Sequence, residues 1–189
     1  MQRDPDAITI RAATRADAPA IGRIHAESWY ETYGGVLPDR LLQSLSALVR
    51  AAMGQGALER EPPVLLFVAE QASGEMVGFA GGGRCRATTL AHDAEIYAIY
   101  VLRAGQQRGC GRRLMAALAG ALQARGFSSI CLWVLRGNTN ARAFYERLGG
   151  EVVGERTQVD GEDSFDEVAY GWANLDSLLS ATADLKREH

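Results

Sequence analysis

The sequence has no long hydrophobic run: nothing in its 189 residues approaches the ~20 consecutive apolar positions that a membrane-spanning helix needs. No basic-then-apolar leader opens the chain, so the expectation is a soluble, unexported, cytoplasmic protein. Cysteine is scarce. Cys85, Cys110 and Cys131 are odd in number and widely spaced, which suits neither a metal-ligand pattern nor a disulfide framework, and reduced thiols are expected. His25, His92 and His189 are too scattered to suggest a metal site, and each reads as a surface or internally satisfied histidine. There is no internal repeat, low-complexity tract or linker, which makes one domain over residues 1–175 the economical reading, followed by a tail over 176–189 that starts as a short helix. With 47% apolar and 23% charged residues the chain can build a core of its own.

A strong net charge is also missing, at only −3, but its distribution is uneven. Between Arg103 and Arg147 eight arginines face the single acid Glu146; between Glu151 and Glu167 seven acids face the single base Arg156. Overall acidity, and the lack of basic residues interleaved with aromatics, argue against nucleic acid as a partner. The basic stretch instead suits a polyanionic ligand.

That stretch contains the part of the chain around which the rest is organised. Glu95 to Val101 is a short β-branched and aromatic run, which predicts a buried strand. A polar turn from Leu102 to Gln107 leads to Arg108-Gly109-Cys110-Gly111-Arg112. Leu114, Met115, Leu118 and Leu122 then fall on one helical face, and the run stops at Gly126. The first N–H groups of a helix lack intrahelical partners and lie at the positive end of its dipole, so a glycine loop opening a helix is a ready anion site. Arg112 and Arg113 in the first turn oppose that dipole, a conflict that a bound anion removes. No Gly-Lys-Ser or Gly-Lys-Thr follows, so this is not a Walker loop, and the first glycine of the dinucleotide fingerprint is absent.

Gln106-x-x-Gly109-x-Gly111 resembles the pyrophosphate-binding motif of the GNAT superfamily of N-acetyltransferases. A second segment carries the same resemblance: Asn138-Thr139-Asn140-Ala141-Arg142-Ala143-Phe144-Tyr145-Glu146-Arg147-Leu148-Gly149 is similar to that family's Asn-x-x-Ala-x-x-Phe-Tyr-x-x-Leu-Gly helix. By spacing alone, Ala141, Phe144, Tyr145 and Leu148 make an amphipathic helix that Asn138 or Asn140 can cap. The resemblance is tight from Glu95 to Gly150. It implies an α/β fold with a mixed central β-sheet of about six or seven strands flanked by about four helices, and acetyl-CoA as acetyl donor to an amine acceptor.

The remaining segments are consistent with such a sheet. Ile8 to Arg11 alternates as a strand, and Thr14 with Asp17 three residues on marks a helix start. A first helix carries Ile21, Ile24 and Trp29, and Pro38 opens a second with Leu41, Leu42, Leu45, Leu48 and Val49 as its buried stripe. Glu59 to Pro63 reads as a loop. Val64 to Glu70 and Met76 to Ala80 form a hairpin about Ser73-Gly74. Gly81-Gly82-Gly83 either leaves room for a close neighbour or frays the strand. Arg84 to Asp93 is a loop, Ser129 to Val134 a strand, and Glu151 to Val159 with Phe165 to Trp172 a closing hairpin about Asp160-Gly161, to which a second copy could pair as a homodimer.

The resemblance also implies roles. Backbone groups of Ile99, Tyr100 and Val101 line the pantetheine arm, where the central strand splays from the Ser129 to Val134 strand. Gln107, Arg108, Gly109, Cys110, Gly111 and Arg112 wrap the pyrophosphate, and Asn138 makes a polar contact to the pantetheine arm unless it is only a helix cap. Tyr145 is the candidate general acid: a phenol, with a reference pKa of about 10, can protonate a thiolate whose own reference is about 8.5. By spacing alone Tyr145 packs beside Phe144. Glu95 is the candidate base through a water, against the alternative of a strand-end acid in solvent. Many relatives carry a glutamate where this chain has Trp133. Arg103 replaces a common proline and Gly150 a common aromatic, changes expected to loosen the turn and the helix-to-strand joint. Trp29, Tyr30, Tyr33 and Glu31 are candidate walls of the acceptor cleft, with Tyr97 opposite, an arrangement that suits a cationic amine. Cys110 and Cys131 read as structural rather than as acyl carriers. The competing reading from another class is a non-catalytic CoA-binding sensor or scaffold.

Overall fold

In the computed structural model, residues 7–33, 64–160 and 163–184 are described. The helix expected from Pro38, the Glu59 to Pro63 loop and His189 lie outside them, and the Asp160-Gly161 turn lies partly outside. Seven strands are present among the described residues: β1 (Ile8–Ala12), β2 (Leu65–Gln71), β3 (Met76–Arg84), β4 (Ala94–Val101), β5 (Ile130–Leu135), β6 (Glu151–Asp160) and β7 (Asp163–Trp172). Four helices accompany them among the described residues: α1 (Ala18–Tyr33), α2 (Cys110–Gln123), α3 (Thr139–Arg147) and α4 (Leu175–Asp184). The strand order is β1-β2-β3-β4-β5-β7-β6, and β4 and β5 run parallel while β1/β2, β5/β7 and β6/β7 are antiparallel, so the sheet is mixed. No described helix is long and apolar enough to cross a membrane.

By contacts the chain divides into two compact units, and β3, β4 and α2 each contribute to both. The first comprises residues up to Gly81 together with Ala98–Leu118. Its core joins Ile21 and Ile24 of α1 to Leu66, Val68 and Phe79 of the hairpin and to Leu102, with Tyr100 packed at the margin. Thr14 opens its short 3-10 turn as expected: the Thr14 N–H donates to the Asp17 carboxylate at 2.7 Å. Arg11 pairs with the same carboxylate at 2.8 Å and holds it well below the usual range.

The second unit comprises Gly82–Tyr97 and the chain from Ala119 onward. Here β7 lies between β5 and β6, and Tyr145, Leu148, Tyr170 and Trp172 are buried. The glycine run Gly81–Gly83 is strand throughout rather than frayed. A Cβ on Gly83 would stand 3.0 Å from the Tyr97 hydroxyl, so the missing side chain admits a close neighbour.

Candidate active site

In the first unit the site residues gather where β4 turns into α2. The Val101 carbonyl accepts from the Gln106 side-chain amide at 2.9 Å, which folds the turn back on the strand end. Gln107 and Gly109 then take left-handed backbone conformations, with φ of 57° and 73°. Glycine does this without penalty, whereas Gln107 is held there against its preference. The Arg113 N–H donates to the Gly109 carbonyl at 3.0 Å, so Gly109 is the residue that caps α2. A glycine has no side chain to satisfy the first-turn N–H groups of Cys110, Gly111 and Arg112.

The two first-turn arginines go separate ways. Arg113 donates to the Ile8 carbonyl, while the Arg112 guanidinium folds back to within 3.4 Å of where a Cβ on Gly109 would stand. Arg108 reaches the Ala104 carbonyl at 3.4 Å. Glycines at the cap, two left-handed residues and an arginine folded over them make a donor set that fits a diphosphate. Cys110 is 1% exposed, and burial pushes its thiol above its ordinary value despite the opposing pull of Arg113 and Arg108.

The aromatics expected as cleft walls divide. The Trp29 indole donates to His25 at 2.9 Å and to the Tyr100 hydroxyl at 3.1 Å, and its ring lies 4.9 Å from that of Tyr33. Tyr30 is 46% exposed. The Glu31 carboxylate accepts from the Arg103 N–H at 2.9 Å, and its backbone carbonyl accepts from the Arg103 guanidinium at 2.8 Å. That bond corrects the expectation that Arg103 loosens its turn. A proline there would have no N–H to give.

In the second unit Glu95 is neither a strand-end acid in water nor an open carboxylate. It is 4% exposed, and Arg86 donates to it three times, from its backbone N–H at 2.9 Å and from its guanidinium at 3.2 and 2.6 Å. A carboxylate has roughly four acceptor positions, so about one remains, on the oxygen that takes a single bond. The Arg86 guanidinium also lies 3.9 Å above the Tyr97 ring, and the Tyr97 hydroxyl donates to the Arg84 carbonyl at 2.6 Å. Arg86 carries no motif or periodicity, and only its place one residue after the strand–loop junction could have drawn notice.

Tyr145 is 6% exposed, with its ring 5.8 Å from Tyr170 and edge-on to Trp172 at 6.3 Å. Its helix starts on Asn138, whose side-chain oxygen accepts from the Ala141 N–H at 3.1 Å, so of the two asparagines Asn138 is the cap. The helix ends on Gly149, at φ 76°, with the Gly150 N–H returning to the Tyr145 carbonyl at 2.9 Å. Gly150 does not loosen this joint. A Cβ there would lie 2.7 Å from the Trp172 ring, whose indole N–H donates to the Leu148 carbonyl at 2.8 Å, so Trp172 takes the space that a side chain at 150 would need. Trp133 stands under the Arg156 guanidinium at 4.0 Å.

The ladder between β4 and β5 covers three residue pairs and ends at Ile96 opposite Leu132, while β5 continues against β7 to Leu135. The strand pair thus separates after Ile96.

Comparison with known proteins gives consistent matches. A model of the acetyltransferase (GNAT) family matches residues 19–150. The chain is 33% identical over 171 residues to the uncharacterized N-acetyltransferase YuaI of Bacillus subtilis, covering 90% of this chain and 96% of that one. It is 31% identical over 168 residues to the N-alpha-acetyltransferase RimI of Mycobacterium tuberculosis, covering 87% and 94%. Its fold is similar to the crystal structure of PaiA N-acetyltransferase from Thermoplasma acidophilum in complex with coenzyme A, with a TM-score of 0.66, 21% identity, and 85% and 98% of the two chains covered. By family model and by curated relatives over nearly its whole length, the chain belongs to the GNAT family of acetyltransferases.

Proposed function

We propose that this single-domain acetyltransferase takes its acetyl group from acetyl-CoA and passes it directly to a primary amine of a small molecule or a protein N-terminus. In the first unit the loop from Gln107 to Arg112 holds the pyrophosphate, and backbone groups of Ile99, Tyr100 and Val101 bind the pantetheine arm. In the second unit Tyr145 gives its proton to the departing thiolate. Glu95, clamped by Arg86, draws the amine proton through one water at its remaining acceptor position. Asn138 caps the helix on which Tyr145 sits, and a contact from its other side-chain atoms to the pantetheine arm is compatible with that duty.

Direct transfer is supported by the state of the thiols. Burial pushes both Cys110 and Cys131 above the ordinary cysteine range, which lowers the thiolate fraction that an acyl-cysteine route draws on. The relative named as an N-alpha-acetyltransferase supports an α-amine as acceptor. Trp29, Tyr30 and Tyr33 supply aromatic rings that suit a cationic group, whereas one face of the Tyr97 ring is already taken by the Arg86 guanidinium. The enzyme works in the cytoplasm on this reading. A second copy would pair along β6, where Val152 and Val159 are exposed, as light scattering would show.

The observation that carries the proposal is Tyr145, a buried phenol on a helix fixed at both ends by Asn138 and Trp172. Tyr145→Phe keeps the packing and removes the proton. The expected outcome is a loss of about 100-fold or more in kcat on any accepted amine, with the thermal shift induced by acetyl-CoA retained. An unchanged kcat ends the assignment of Tyr145 as the acid.

A further inference from the structure

Cys85 and Cys131 lie far apart in sequence, yet the fold brings their sulfurs to 3.6 Å. Cys85 is the first residue after β3, at the start of the loop that carries Arg86. Cys131 is on β5, where its Cα pairs with that of Glu95. We propose that these two residues are a thiol-modification site at which a reversible intramolecular disulfide forms. The inference rests on this placement and is independent of any role for Glu95 in acetyl transfer.

Three observations support it. The backbone on both sides is already fixed: the Cys85 N–H donates to the Asp93 carbonyl at 2.9 Å, and Cys131 is paired into the sheet. The sulfurs are in hydrogen-bond contact with each other, and each also lies 3.6 Å from a carbonyl oxygen, that of Ala87 for Cys85 and that of Ala94 for Cys131. An S–S bond is about 2.05 Å long, so forming one brings the two sulfurs closer by about 1.6 Å. The two thiols are also unequal. Cys85 is half-exposed, whereas Cys131 is fully buried, and burial and its contact with Cys85 hold it protonated.

That inequality sets the order of events. A peroxide meets Cys85 first: the thiol is oxidised to a sulfenic acid, one peroxide oxygen stays on sulfur, and the other leaves as water. The Cys131 sulfur then attacks the Cys85 sulfur; its proton leaves with the sulfenic hydroxyl as a second water, and the S–S bond forms. Two thiols and one hydrogen peroxide thus become one disulfide and two waters. A small dithiol reductant reverses the step by exchange, taking up the S–S bond as its own disulfide.

The test is oxidation of the full-length protein with hydrogen peroxide, followed by intact-mass and peptide analysis under non-reducing conditions. The expected result is a monomer lighter by two hydrogens, with two of its three thiols protected from alkylation. A linked peptide pair should contain Cys85 and Cys131 and be reversed by dithiothreitol. Cys110→Ala should form the same link, and Cys85→Ser, a change at a half-exposed loop position, should form none. A link that involves Cys110, a disulfide-bonded dimer, or oxygen added to Cys85 with no cross-link would overturn the proposal.

Discussion

The two compact units solve the problem of presenting polar groups in opposite ways. In the first, the start of α2 is capped by Gly109, a residue with no side chain of its own to give to the first-turn N–H groups. In the second, the start of α3 is closed by its own Asn138, and the polar groups of interest are side chains locked by neighbours, Glu95 by Arg86 and Tyr145 between Tyr170 and Trp172. One helix start has no capping side chain, while the other unit holds its polar side chains with neighbours; on the proposed function the first arrangement binds the cofactor and the second carries the chemistry. Binding defects should therefore map to the first unit and rate or stability defects to the second.

The sharpest test of that division is Arg112→Ala. Loss of a charge-assisted bond should weaken acetyl-CoA binding about tenfold or more, while a pantetheine fragment without the phosphates is unaffected. Calorimetric titration would check it, and equal losses for both ligands would place Arg112 away from the phosphates. In the second unit the comparable stake is acid stability. The Asp93 carboxylate is raised by burial but lowered more by bonds from the backbone and hydroxyl groups of Ser128 and Ser129, to about 2. A folded value below the unfolded 3.8 means that its stabilisation is complete above that pH and lost as pH falls towards 2. Asp93→Asn should cost on the order of 2 kcal/mol at pH 7 and little at pH ~2, as urea unfolding would show. A loss that is the same at both values would refute the assignment.

Two smaller effects separate the helix starts further. Asn138→Ala removes the cap of α3 and should cost about 1 kcal/mol of stability, seen as a lower thermal midpoint, whereas acetyl-CoA affinity should change little. A large loss of affinity instead would show that Asn138 binds the pantetheine arm. Glu95→Gln should slow transfer most at low pH, where less of the amine is already neutral; a uniform small loss in the pH–rate profile would make Glu95 a structural partner of Arg86.

How much of this could be read from the sequence follows the same contrast. The α2 loop was legible because the glycine spacing marked a loop that opens a helix; that Gly109 takes a left-handed angle there came only from the structure. Strand and helix positions were legible because periodicity reports burial, and Leu114, Met115, Leu118 and Leu122 are all fully buried. What escaped are partnerships between residues distant in the chain. Arg86 with Glu95 and Glu31 with Arg103 are pairs that only folding brings together. Cys85 and Cys131 looked unrelated because cysteine spacing carries no signal across a strand, a helix and three connecting segments. Arg103 and Gly150 looked like weaknesses because each compensating partner, Glu31 or Trp172, lies elsewhere in the sequence.

The position of β7 between β5 and β6 bears on biosynthesis. A ribosome releases β5, then α3, then β6, yet β6 has no neighbour in the sheet until β7 emerges. Trp172, which fills the space beside Gly150 and ties down the Leu148 carbonyl, is the last residue of that strand. The helix bearing Tyr145 can therefore form early from local contacts but reaches its final seat only when the nascent chain has been extended past Trp172. Nascent chains arrested before that point should carry a formed α3 and an unpaired β6, an exposed edge for which chaperones would compete.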